Sequence, residues 1–140
     1  MATKQSRATE LRNFLGLKQA HQLLESEVEG LYEEMDKLAK KSAVDAVTEL
    51  QLKAINSLIT KSKQLLSDDV IIGEVMPFVP AGDNPEYRDV VTVLRQVLQG
   101  LQRFKRHDYK FLWSDDFEEE LEDNELDEDD AKPLFKSIRP

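Results

Sequence analysis

Side chains that ordinarily do chemistry are sparse in this sequence, and their spacing fits no reaction. There is no cysteine, and the only histidines are His21 and His107. Without cysteine there is no disulfide, no thiolate nucleophile and no thiolate metal ligand. A di-iron site in a helical bundle takes Glu-x-x-His pairs from two helices, but the residues three before the histidines are Lys18 and Phe104. Neither a glycine-rich phosphate loop nor a nucleophile motif occurs. Carboxylates are plentiful, with twelve between Asp115 and Asp130. A calcium loop also needs a glycine for its sharp turn and a closing bidentate Glu, and the segment after Trp113 contains no glycine. The expectation is a non-enzymatic protein with no catalytic residue, no metal and no cofactor. Its function would be carried by binding.

Two charged features suit binding. Arg88, Arg95, Arg103, Arg106 and Lys110 recur with Thr92 and Gln99 on one side of a predicted helix, with no acid among them. As a continuous helix that stripe would be ~33 Å long. It reads as an anion-binding face, or as a solvated face whose last bases complement the helix dipole. The second feature is the acidic segment, where Trp113, Phe117 and Leu121 recur at i, i+4 and i+8. Acids interspersed with apolar residues form an amphipathic recognition segment. Beyond it, Leu134, Phe135 and Ile138 stand among Lys132, Lys136 and Arg139, a basic and apolar tip suited to linear docking. The expected partner-binding residues are those five bases together with Phe117, Leu121, Leu134, Phe135 and Ile138. The acids are predicted to fold back on Arg103, Arg106 and Lys110 through salt-sensitive pairs.

The charge balance divides the chain. From Ser114 to Pro140 twelve acids and three bases leave −9, which is the net charge of the whole protein. The preceding 113 residues hold sixteen acids and sixteen bases. The acids repel one another and few apolar groups offset the entropy of ordering them. Residues 1–113 are therefore expected to form a helical bundle domain, and residues 114–140 a disordered acidic tail with a basic, apolar tip.

The elements that position these features are helices. Leucine, valine, isoleucine and alanine dominate the apolar residues and fall at helical intervals. A first helix is predicted to about Lys41, with Phe14, Leu17, His21, Leu24, Val28, Leu31, Met35 and Leu38 spaced as a heptad seam. His21 is its one polar member and is expected in the core. Ser42 and Asp45 suggest a cap for a second helix from Ala43 to Leu66. That helix carries two apolar stripes: Val47, Leu50, Ala54, Leu58 and Leu65, and Leu52, Ile55, Ile59 and Leu66. Pro77, Pro80 and Gly82-Asp83-Asn84 then interrupt the pattern. Val70 to Val79 is too apolar for a solvated loop and is expected to cover one end of the bundle. Its start reads as a short helix, with an extended run as the alternative. Asn84 and Pro85 start a third helix, predicted to Leu112 or Trp113.

The fold class expected is all-α: an elongated three-helix bundle with a coiled-coil-like first helix, a short irregular insert and an acidic tail. At ~50 Å the first helix exceeds the ~36 Å that the second can cover, so a homodimer is expected. No apolar run approaches the ~18 residues of a membrane span, and the first residues lack the apolar core of a signal peptide. A cytoplasmic adaptor or regulatory protein with a protein partner is the leading reading. One alternative is a nucleic-acid-associated protein that uses the basic stripe, with the tail as competitor. Another is a chaperone-like protein that masks basic client surfaces.

Overall fold

The computed structural model describes residues 4–78 and 85–134. All described secondary structure is helical apart from one isolated antiparallel bridge between Ala46 and Glu86. Helix α1 runs from Lys4 to Ser42, with Lys40 and Lys41 complementing the dipole in its last turn. It buries Leu11, Leu15, Ala20, His21, Leu24, Val28 and Met35, while Phe14, Leu17, Leu31 and Leu38 are half-buried. The face is thus broader than the heptad seam, because it packs on more than one neighbour. Leu11 and Leu15 were not in the seam, yet they are 0% and 5% exposed. No helix among the described residues is long and apolar enough to cross a membrane.

The second helix starts later than Ala43. Helix α2 spans Glu49–Leu65. The Thr48 hydroxyl accepts from the Gln51 backbone at 3.2 Å, and the Gln51 side chain accepts from the Thr48 backbone at 3.0 Å. This reciprocal box satisfies two orphan donors at once, which Ser42 and Asp45 do not do. The intervening residues cap another helix instead. Carbonyls of Asp45 and Ala43 accept from Tyr87 and Arg88 at 3.0 and 3.2 Å, and Val47 donates to Pro85 at 2.9 Å. The first backbone donors of α4 (Tyr87–Arg103) are thereby satisfied by an extended linker. Asp89 adds a side-chain acceptor for the Glu86 backbone at 3.0 Å. Asn84, expected as the cap, lies outside the described residues.

The two stripes of α2 fare differently. Leu52, Ile55, Ile59 and Leu66 are buried, with Leu58 and Leu65, but Leu50 is 80% exposed and Ala54 is also exposed. Ser62 is buried without cost because its hydroxyl donates to the Leu58 carbonyl at 2.6 Å. Helix α3, Val70–Gly73, settles the start of the insert as helical, with Asp69 accepting from the Ile71 and Ile72 backbones. Ile72 is its buried residue and sits so near Gly100 that a Cβ there would lie 2.6 Å from the Ile72 side chain. Asn56 holds the following chain by donating to the Phe78 carbonyl and accepting from the Phe78 backbone, both at 2.8 Å. Val70, Ile71 and Met76 remain exposed. Val79 to Asn84 lie outside the described residues.

The third predicted helix does not continue to Trp113. After Arg103 a π-helical turn, Phe104–Asp108, is followed by a 3₁₀ turn, Lys110–Trp113. The residues expected to be disordered from Ser114 are instead described through Leu134, with helix α5 at Asp115–Asp123 and a 3₁₀ turn at Glu128–Asp130. The physical reason is that Phe117, Leu121 and Leu126 find apolar cover and are only 4%, 5% and 9% exposed. The chain forms two compact units, Met1–Leu23 with Arg103–Pro140, and Leu24–Gln102.

Candidate functional site

The unit that holds the acidic segment is assembled around an aromatic cluster. The π turn closes through the Tyr109 backbone donating to the Phe104 carbonyl at 2.8 Å, which stacks the two rings 4.4 Å apart. His21 is fully buried, stacked on Phe104 at 5.2 Å and edge-on to Trp113 at 4.9 Å, as a core histidine should be. Phe111 meets Phe14 at 5.0 Å and Phe117 at 6.3 Å. Such offset and edge-on pairs add to apolar burial because the ring quadrupoles are complementary.

Helix α5 begins at Ser114, whose hydroxyl accepts from the Phe117 backbone at 3.2 Å and donates to the Phe111 carbonyl at 2.6 Å. Asp115, Asp116 and Glu118 fill its first turn, where negative charge is favoured. Its end is a Schellman motif: Leu126 donates to Leu121 at 2.9 Å and Glu125 to Glu122 at 3.0 Å. That closure puts Glu125 at φ 56°, in the left-handed region usually given to glycine. It also returns Leu126 to the apolar side of the helix. Beyond it the chain is pinned along α1. Gln19 donates to the Glu128 carbonyl at 2.8 Å, and the Lys132 backbone donates to the Arg12 carbonyl at 3.1 Å. Gly16 makes that approach available, since a Cβ there would collide with the Lys132 carbonyl.

Ion pairs tie α5 to α1. Lys18 Nζ is 2.9 Å from Glu118 and lies over the faces of Trp113 and Phe117 at 5.9 and 6.0 Å. Arg7 pairs with Glu120 and with Glu10. The hydrogen bond to Glu120 raises the Arg7 guanidinium above its ordinary pKa, against the opposing effect of desolvation. Arg7, Leu11, Leu15 and Lys18 fall on one side of α1, so a stripe of two bases and two leucines receives the acidic helix. That periodicity was available in the sequence, but the heptad spacing of Phe14 and Leu17 competed with it.

The expected pairing with Arg103, Arg106 and Lys110 is therefore corrected: among the described residues the ion pairs seen from α5 run to Arg7 and Lys18. Nor do the five bases lie on one continuous α-helical face, because the π turn shifts the register after Arg103. Arg88 and Arg95 belong to the unit Leu24–Gln102, and Arg103, Arg106 and Lys110 to the other. Arg88 is exposed and 2.6 Å from Glu86. Arg95 donates to the Tyr32 hydroxyl at 3.3 Å, which raises its pKa. Arg103 is half-buried, and Arg106 and Lys110 are exposed. Phe117 and Leu121 are spent on the interior of their own chain. Leu134 is 42% exposed, and Phe135 and Ile138 lie outside the described residues. On the outer side, Asp115, Asp116, Glu119, Glu122 and Asp123 are exposed. Among the described residues no group of three or more His, Asp or Glu side chains converges as a metal ligand set. What the arrangement offers is an acidic surface on a helix tied to α1. No known protein family, curated protein or solved structure matches this chain, so the functional reading rests on its own geometry.

Proposed function

We propose that this chain is a cytoplasmic, non-enzymatic interaction protein, an adaptor or regulator, whose acidic C-terminal segment binds a basic surface of a protein partner. The observation that carries this reading is the division of labour on α5. Its apolar side chains Phe117 and Leu121 are buried, while Asp115, Asp116, Glu119, Glu122 and Asp123 face outward. Partner recognition therefore belongs to the acids and not to Phe117 or Leu121. Fixed carboxylates steer a basic partner and select it by charge more than they add raw affinity. The homodimer expected from the length of α1 forms no part of this proposal, because Leu11 and Leu15 are covered within the chain.

The test is affinity capture from host extract with the wild type and with a variant combining Glu119→Gln, Glu122→Gln and Asp123→Asn. A basic protein retained at low salt by the wild type, and lost both at high salt and with the variant, is the expected result. Equal retention by the variant would remove the acidic surface as the binding element.

A further inference from the structure

A groove with a volume of about 570 Å³ opens beside α5, between it and the first half of α1. That is within the ~300–1,000 Å³ over which proteins hold ligands or inserted side chains. Its base is aliphatic: Leu15, Leu121 and Leu126 are each at most 9% exposed. Leu23 stands at its edge, 59% exposed, a large apolar side chain at the mouth of the groove. Around the opening are Glu122, Asp127 and Glu128, all exposed. Among the described residues of its lining the one cation is Lys18, already engaged by Glu118.

The groove is therefore apolar inside and acidic outside, which specifies the complement. Resting on the reading above, we infer that this groove is the docking site for a basic amphipathic segment of the partner. One aliphatic side chain of that segment packs beside Leu23, and flanking lysines or arginines meet Glu122, Asp127 and Glu128. Lys18 demonstrates the cation chemistry within the chain. Its stem is largely covered while its ammonium sits between a carboxylate and two aromatic faces, an arrangement that stabilises a cation by charge and by ring quadrupole together. An apolar anchor with flanking bases uses both parts of the groove, as amphipathic helices do when they lay an apolar face into a groove. A polar small molecule would leave the aliphatic base uncovered, and an anion would meet like charge on the rim.

The probe is a fluorescein-labelled, lysine-rich peptide with leucines at helical spacing, set against its counterpart with serine in place of leucine. Anisotropy is read with the full-length protein at ~0.15 M salt. The leucine peptide is expected to bind about tenfold more tightly than the serine peptide. Leu23→Ser should weaken it about tenfold. Glu122→Gln with Glu128→Gln should weaken it about five- to tenfold, which corresponds to ~1–1.4 kcal/mol. Glu119→Gln with Asp123→Asn removes the same charge from the outer face of α5, where the acids steer the segment without meeting its anchor, and should weaken binding by only about two- to threefold, or ~0.4–0.7 kcal/mol. Circular dichroism of each variant checks that the fold is retained, as expected for exposed positions. Equal binding of the two peptides, or equal loss with the two charge pairs, would overturn the groove and leave the acidic surface standing. If neither charge pair weakened binding, both would fall.

Discussion

At the scale of single residues, burial decides which side chains matter. Leu94 is fully buried and Leu58 is 8% exposed, the latter as its place in an apolar stripe of the second helix implied. Leu94→Ala and Leu58→Ala are each expected to cost ~2–5 kcal/mol in urea titration. Leu50→Ala, at 80% exposure, should stay within ~0.5 kcal/mol. Glu125 offers the opposite sign. A non-glycine residue in the left-handed region costs ~1–2 kcal/mol, while glycine loses more entropy on folding, ~0.5–1 kcal/mol. Glu125→Gly should therefore stabilise the protein by ~0.5–1 kcal/mol, read as a higher urea midpoint at unchanged slope. A lower midpoint would mean that the turn after α5 is not a Schellman closure. Gly100→Ala runs the other way, since its methyl would meet Ile72 and Leu66. The expected loss is ~1–3 kcal/mol.

At the scale of elements, two helix starts carry the argument. Thr48 and Gln51 form the box that begins α2, so Thr48→Ala should cost ~0.5–2 kcal/mol, while Ser42→Ala should cost less. Helix α5 is held by Phe117 and Leu121 against the repulsion of its own acids. Phe117→Ala is expected to cost ~3–5 kcal/mol and to release the helix. In the wild type the backbone amides of residues 118–123 should exchange slowly with solvent, and in Phe117→Ala they should exchange quickly. Fast exchange in the wild type would restore the disordered tail. The linker between α1 and α2 is the counterpart in the other unit. Its carbonyls end the helical pattern at Ser42 because they are needed by Tyr87 and Arg88.

At the scale of the molecule, charge sets the response to salt. The acidic segment gains the surface pairs Arg7–Glu120 and Lys18–Glu118, each worth only ~0–1 kcal/mol. Against them stands the mutual repulsion of twelve acids between Asp115 and Asp130. Two unit charges ~7 Å apart in water repel by ~0.6 kcal/mol, and many neighbouring pairs add. Repulsion is the larger effect. Raising sodium chloride from ~0.01 to ~0.15 M shortens the screening length from ~30 to ~8 Å. The thermal midpoint should accordingly rise, by ~2–8 °C for a stabilisation on the order of 1 kcal/mol. A falling midpoint would give the ion pairs the greater weight. Light scattering at micromolar concentration is expected to show a monomer, because the first turns of α1, whose length argued for a partner copy, bury Leu11 and Leu15 within the chain.

Helical class, the end of α1, the burial of Leu58 and His21, and the concentration of negative charge after Ser114 are all legible along the chain. Those properties follow from periodicity, proline placement and composition, which are local and can be counted along the chain. Not legible there are the start of α2 at Thr48, the π turn that interrupts the basic stripe after Arg103, and the pairing of the acidic helix with Arg7 and Lys18. Each of these turns on a partner more than thirty residues away or on competition between neighbouring signals. Acid repulsion alone favours disorder for residues 114–134. Phe117, Leu121 and Leu126 overcome it only because Leu11, Leu15 and Gly16 leave an apolar, close-approach surface on α1, and no one-dimensional pattern measures the distance between those two ends of the chain.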